Sequence, residues 1–226
     1  MKNKLVRQLA PLFILTLLLM ASCSALLSKQ TLQTTYYSLE GTQSKPQTDQ
    51  PSINTNIRLP TLIISIPKAA AGFNTQRMMY TRARHQLEYF ARNEWIDTPA
   101  KMLQPLMVLA IENTRTFNAV LSKQSALASD LRLESEVIKL VQNFNTKPSH
   151  VQFTLRATMI DSVTNKVIAT REFDERVDAI SDNPIAGVVA ANLAVNQAIY
   201  KLSVFSQQTV TDWGQFKEYL QKNHAN

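Results

Sequence analysis

The sequence predicts a single α+β domain: a mainly antiparallel sheet with two principal helices packed on one face. Three observations predict it. Val151, Phe153, Leu155, Ala157 and Met159 alternate with polar residues, and Val167–Val177 returns after the turn Thr164-Asn165-Lys166, the pattern of a half-buried hairpin. Thr98-Pro99 offers a capping hydroxyl and a first-turn proline. Behind it Met102, Leu103, Leu106, Met107, Ala110 and Ile111 recur at three- and four-residue spacing, so a helix runs to about Phe117. Asp182-Asn183-Pro184 opens a second, longer helix. Ile185, Val188, Val189, Leu193, Ile199 and Leu202 read as its core stripe, and Ala186, Ala190, Ala191, Ala194 and Ala198 allow close approach to a sheet. A sheet covered on one face calls for alternating strands, which the hairpin supplies.

The remaining elements follow in chain order. Residues 1–7 carry Lys2, Lys4 and Arg7 and no acid, Leu12–Met20 is apolar apart from Thr16, and Ala21-Ser22 precede Cys23. A basic head, a short apolar run and a small-residue junction make a secretory signal, too short for a spanning helix. Residues 23–35 read as a polar N-terminus and tether. The domain proper is 36–210: Tyr36–Leu39 is a first strand, and 40–56, rich in Gln, Thr, Ser, Asn and Pro, is a flexible loop. Leu62–Ile66 is a short buried strand between Pro60 and Pro67. Residues 78–84 and 87–93 are two strands joined by a tight turn near His85-Gln86, because Leu87, Tyr89 and Ala91 alternate with Glu88, Phe90 and Arg92. After a polar turn at Ser122–Ser129, 131–144 is a strand whose apolar parity changes, placing a bulge near Glu134–Val137. Residues 211–226 form a tail with a short helix around Trp213–Leu220.

The stretch Leu19-Met20-Ala21-Ser22-Cys23 resembles a bacterial lipobox. The resemblance implies removal of residues 1–22 and lipidation of Cys23 as the first residue of the mature chain. Cys23 is the only cysteine, so no disulfide partner exists for it in an oxidising compartment. The alternative is a plain secretory signal followed by a buried thiol. Ser24 stands where an Asp would commonly signal retention at the inner membrane, so the sorting rule attached to lipoboxes implies the outer membrane.

Composition excludes several functions. The leader accounts for three of the seven net positive charges, leaving +4 on 204 residues, a mild bias that does not suggest a nucleic-acid protein. Four scattered glycines offer no phosphate cradle. His85, His150 and His224 lack metal-ligand spacing and have no second cysteine to join them, so no metal site is expected. No serine sits in a nucleophile elbow. Glu134/Glu136 and Asp174/Glu175 fall on strands beside basic residues, where solvated faces explain them better than acid–base work. No catalytic residue, cofactor site or enzyme activity is expected.

A family resemblance lies in the order Ile64-x-Ile66-Pro67, Arg77-Met78-Met79-Tyr80, Leu87-Glu88-Tyr89-Phe90-Ala91-Arg92-Asn93-Glu94-Trp95, then Pro99 and Met102-Leu103, with Tyr36-Tyr37-Ser38-Leu39 upstream. This arrangement resembles the ABC-type transport auxiliary lipoproteins of the paraquat-inducible protein C kind, over roughly residues 20–205. Thr75-Gln76 departs from the family pattern, where an acid is more usual. The resemblance implies a non-catalytic, outer-membrane-anchored lipoprotein facing the periplasm. Its partner would be a mammalian-cell-entry (MCE) domain protein of an ABC system that moves lipid between membranes and supports envelope integrity. A homo-oligomer suits that role. Arg77, Tyr80, Arg82, Tyr89 and Arg92 are the candidate partner surface, since arginine and aromatics are enriched at interface hot spots; Trp95 reads better as core. Two other classes stay open: a lipoprotein subunit of another envelope-assembly complex, and a periplasmic lipid- or solute-binding lipoprotein.

Overall fold

The computed structural model describes residues 33–41, 59–122 and 128–224, with 219–221, 223 and 224 as backbone only. Cys23, the signal segment, most of the tether, nearly all of the 40–56 loop and the middle of the Ser122–Ser129 turn lie outside the described residues.

These residues form nine strands and two helices: β1 Thr35–Tyr37, β2 Thr61–Ile64, β3 Lys68–Ala69, β4 Arg77–Ala83, β5 Gln86–Trp95, α1 Pro99–Glu112, β6 Ala119–Ser122, β7 Leu131–Asn143, β8 His150–Asp161, β9 Val167–Asp178 and α2 Pro184–His224. The domain is α+β, and β7 is its spine. Along one edge β7 pairs antiparallel with β8 from Leu131↔Asp161 to Asn143↔His150, and β8 pairs antiparallel with β9. The other edge of β7 is shared end to end by three short parallel partners: β2 at Leu131–Leu133, β3 at Glu136–Val137 and β4 at Gln142–Asn143. Beyond β2 lies β6 in parallel; beyond β4 lie antiparallel β5 and then parallel β1. The sheet is therefore mixed, with its long pairings antiparallel and its short ones parallel. Pro67, with no N–H to donate, falls between β2 and β3 and helps break that edge into pieces.

The register of β7 on β8 shifts between Val137 and Lys139, so the bulge sits at Ile138, just past the expected stretch. It lets Leu131, Leu133 and Val137 before it, and Leu140 after it, all reach one core with Phe153, Leu155, Ala157 and Met159 of β8 and Phe173 of β9. Helix α1 adds Leu103, Met107 and Ile111, each fully buried. It ends at Glu112 rather than near Phe117, because Arg115 adopts a left-handed conformation (φ 53°) and the Thr114 hydroxyl donates to the Ile111 carbonyl at 2.7 Å. Thr98 stands at its N-cap, but its side chain makes no capping hydrogen bond; Pro99 marks the start.

Two expectations for α2 are corrected. It is one continuous helix to His224, not a helix followed by a separate short one, because its far part is tied to the sheet through Trp213 and Lys217. And Ile185, Val189 and Leu193 are exposed, not core. The buried stripe is Ala186, Ala190, Ala191, Ala194, Val195, Ala198, Ile199, Leu202 and Phe205. At its start Asn183 caps as expected, its Oδ1 accepting the Ala186 N–H at 2.9 Å. The apolar part of α2 is long enough to cross a membrane, but half of that window is buried within the fold, as a helix lying on a sheet requires.

Candidate functional site

The β4–β5 hairpin carries the predicted surface, and strand alternation divides it. Arg77, Met79 and Tyr89 lie on one side, with the Arg77 guanidinium 3.6 Å from the centre of the Tyr89 ring, a cation–π stack. Tyr80, Arg82, Glu88 and Phe90 lie on the other. There Glu88 accepts the Tyr80 hydroxyl at 2.9 Å and Arg82 Nε at 3.0 Å, and a second Arg82 N–H completes a two-pronged ion pair. The Arg82 hydrogen bond holds the Glu88 carboxyl below its ordinary value, while the bond to Glu88, with burial, pushes the Tyr80 hydroxyl up. Tyr80 also packs on Phe90 (4.5 Å between ring centres) and Phe144 (5.7 Å). Arg92 is exposed and stands apart from both groups. The five residues therefore form no single patch: Arg77 with Tyr89 is one unit, Tyr80 with Arg82 is another, and Arg92 is separate.

The turn joining the strands places His85 at φ 64°, a conformation uncommon outside glycine. Trp95 is 4% exposed and belongs to the core, as the sequence reading favoured. At the family-atypical pair, Thr75 Oγ1 accepts the Arg77 N–H at 3.1 Å and Gln76 Nε2 donates to the Ile96 carbonyl at 3.0 Å, so these polar side chains fasten the mouth of β4.

The paired acids divide in the same way. Glu134 and Glu136 bond Arg132 and Arg156 on the polar face of the sheet, and Asp174 accepts Thr154 Oγ1 at 2.6 Å and Gln152 Nε2 at 2.7 Å. Glu175 departs from the solvated-face expectation: its side chain is buried and accepts Lys201 Nζ of α2 at 2.6 and 2.8 Å. Among the described residues no group of three His, Cys, Asp or Glu side chains is placed to hold a metal. Two voids against the sheet, one beside Met78 and Gly187 and one beside Phe73 and Trp95, hold about 10 Å³ each, far below the size of an acyl chain. A groove of about 510 Å³ between β9 and α2, lined by Arg171, Glu172, Tyr200, Lys201, Val204 and Gln208 among others, is open to solvent.

Two features escaped sequence reasoning. The first is the outward ridge of α2. From Pro184 to Tyr200 the chain holds no charged side chain, and Ile185, Val189, Leu193 and Tyr200 are 63%, 48%, 50% and 69% exposed. The absence of charge over 17 residues was the available signal, since the solvent face of a surface helix is normally polar. The second is Asp161, at the end of β8. Its Oδ1 accepts the N–H groups of Val163 and Thr164 (3.0 and 2.8 Å), and its Oδ2 accepts Trp213 Nε1 at 3.1 Å and pairs with Lys217 at 3.2 Å. Burial alone would raise this carboxyl, but the Thr164 N–H, Lys217 and Trp213 outweigh it and bring it down from 3.8 to about 2. A partner 52 residues away gives no sequence signal.

The profile of the family described as ABC-type transport auxiliary lipoprotein component matches residues 37–202, from the end of β1 to the middle of α2. The chain belongs to that family. It is thus an auxiliary lipoprotein component of an ABC-type transport system, which implies a transporter partner and a membrane-anchored place in the envelope. The family role is auxiliary rather than catalytic. No curated protein matches the chain. Among solved structures, protein XCC0632 from Xanthomonas campestris, of the family DUF330, aligns with a TM-score of 0.64 at 21% identity, over 69% of this chain and 88% of that one. An uncharacterized protein aligns at 0.58 and 12% identity, over 76% and 97%. At these identities the likeness establishes the fold alone.

Proposed function

We propose that residues 1–22 are a lipoprotein signal, that Cys23 carries the acyl anchor, and that residues 24–35 tether the domain to the outer membrane on its periplasmic side. From there the domain serves an MCE-type ABC system that moves lipid between membranes and so supports envelope integrity. The observation that carries this reading is a lipobox cysteine set fourteen positions ahead of the family match, which begins at Tyr37. Three acyl chains hold a protein at a bilayer effectively without exchange, where one holds it only marginally. Tethering then raises the local concentration of the binding surface, so a weak contact with the partner suffices.

The partner contact falls on the Arg77–Tyr89 stack and, separately, on exposed Arg92, while Tyr80 and Arg82 are committed to Glu88 within the hairpin. A homo-oligomer is part of the same reading. Two experiments test it. Cys23→Ser should yield a folded domain that no longer sediments with outer membranes; continued sedimentation would remove the anchor. Arg77→Glu with Arg92→Glu should abolish co-purification with the MCE-domain protein while leaving the circular dichroism spectrum unchanged. Intact co-purification would move the partner surface elsewhere, and stoichiometric phospholipid on delipidated protein would favour a lipid-binding role instead.

A further inference from the structure

We infer that the free edge of β9 is a docking edge. An extended segment of the transporter partner adds to it as a further strand, setting an acid against Arg171 and apolar side chains against Tyr200 and Val204. This rests on the family's partnership with a transporter and is separate from the hairpin contact proposed above.

β9 is 12 residues long and, among the described residues, pairs only with β8. That pairing is unbroken from Ala169 to Asp178, and the strand holds no proline, so neither a bulge nor a missing donor blunts its far side. In an antiparallel pair half of a strand's N–H and C=O groups turn away from the neighbour, and here they meet no further strand. Such an edge is a template for another chain unless something guards it. The guard is charge, and it acts against β9 itself. A second copy adding its own β9 antiparallel, with both helices on one face, must oppose residues of like parity. Every such register centred from Arg171 to Arg176 opposes like charges: Arg171, Glu172, Asp174 or Arg176 to itself, Glu172 to Asp174, or Glu172 to Asp178, all unfavourable. The edge is closed to its own kind and open to a strand of different sequence.

The groove beside this edge indicates what that strand carries. On the α2 side the Arg171 guanidinium lies 5.0 Å from the centre of the Phe205 ring and makes no ion pair with any described residue. The acids around it are engaged elsewhere: Glu175 with Lys201, and on the opposite face Glu172 with Arg156 and Asp174 with Thr154. Tyr200 ends the uncharged stretch of α2 and, with Val204, lines the groove of about 510 Å³ that opens between helix and strand. A strand added to β9 turns every second side chain toward this groove. The one beside Arg171 meets an exposed guanidinium that lacks a carboxylate, and its neighbours on that side meet Tyr200 and Val204. An extended segment with an acid among apolar residues satisfies both, with main-chain bonds supplying affinity and the groove supplying selectivity.

The test uses the full-length chain in detergent micelles. Its probes are overlapping peptides of the same length as β9 that span the extramembrane segments of the transporter's components. Binding is read by fluorescence anisotropy, and amide hydrogen exchange is followed residue by residue by NMR. At least one peptide is expected to bind and to slow exchange at alternate residues of β9, the mark of strand addition. Arg171→Glu should weaken that peptide about tenfold or more. Tyr200→Asp, at an exposed position, should weaken it several-fold, and neither change should alter the circular dichroism spectrum. Arg77→Glu with Arg92→Glu should leave its affinity unaltered; a loss there assigns the peptide to the hairpin instead. Absence of any binding peptide, protection that misses β9 or does not alternate, or full affinity in both groove variants overturns the proposal. Alternate protection of β9 that appears on concentrating the chain alone would give the edge to a second copy and overturn it equally.

Discussion

The two faces of α2 differ in a way opposite to simple expectation. The face against the sheet is mostly alanine; the face toward solvent carries Ile185, Val189, Leu193 and Tyr200. The inner face is small because the helix lies close on β8 and β9. At Gly187 an added Cβ would stand 2.0 Å from Gln142 Oε1. Hydrophobicity drives a helix onto a sheet, but side-chain volume sets which of two apolar faces can fit there. The outer face is thus free of packing duty, and its lack of charge is not explained by the fold.

The largest effect that should sharpen this contrast is overpacking the inner face. Ala194→Leu, at a position with no exposure, is expected to cost about 1–3 kcal/mol and lower Tm by about 3–10 °C in a thermal melt. A variant that melts like the parent would mean that the inner face has spare room. Next comes the Asp161 latch. A carboxyl held at about 2 against 3.8 contributes about 2 kcal/mol, in force above pH 4 and lost as pH falls toward 2. Asp161→Asn should therefore lower Tm at pH 7 and flatten its decline between pH 4 and 2; parallel acid limbs in the two proteins would refute the latch.

A smaller effect is expected at Gly187→Ala. Gln142 must move, weakening its bonds to Ser149 Oγ (3.0 Å) and the Asn183 carbonyl (3.2 Å), at about 1–2 kcal/mol by urea titration. No change in midpoint would show that Gln142 yields freely. Smallest of all, Val189→Ser with Leu193→Ser on the outer face should shift stability by less than about 1 kcal/mol, as surface changes do. A loss as large as that of Ala194→Leu would erase the distinction between the faces.

Much of the fold was legible because two of its parts announce themselves locally. The β8–β9 hairpin alternates without interruption, and the β4–β5 pair shows the same period on either side of His85. The β7 bulge was legible as a change of parity, displaced only slightly. The strands β3 and β6 were not, because two to four residues in a parallel pairing have neither alternation nor a turn to mark them. The inside of α2 was misread for a specific reason: both faces are apolar, so periodicity finds the helix without saying which stripe is buried. The candidate surface was legible as composition but not as arrangement. Whether Arg77 meets Tyr89 or Arg82 meets Glu88 depends on hairpin register, and the β4–β5 register carries irregularities that no local pattern displays.

The segment that follows β1 has a mechanical consequence. Asn192 Oδ1 accepts the Glu40 N–H at 2.7 Å, its Nδ2 donates to the Ser38 carbonyl at 3.3 Å, and Asn196 Nδ2 donates to the Glu40 carbonyl at 3.0 Å. Together with the β1–β5 ladder, these bonds grip the chain on two sides just inside its point of entry. A pull on the residues ahead of Thr35 runs along the strand, so the ladder and the asparagine clamp are strained in shear and must yield together rather than peel one by one. A three-residue edge strand is thus held by more than its own ladder.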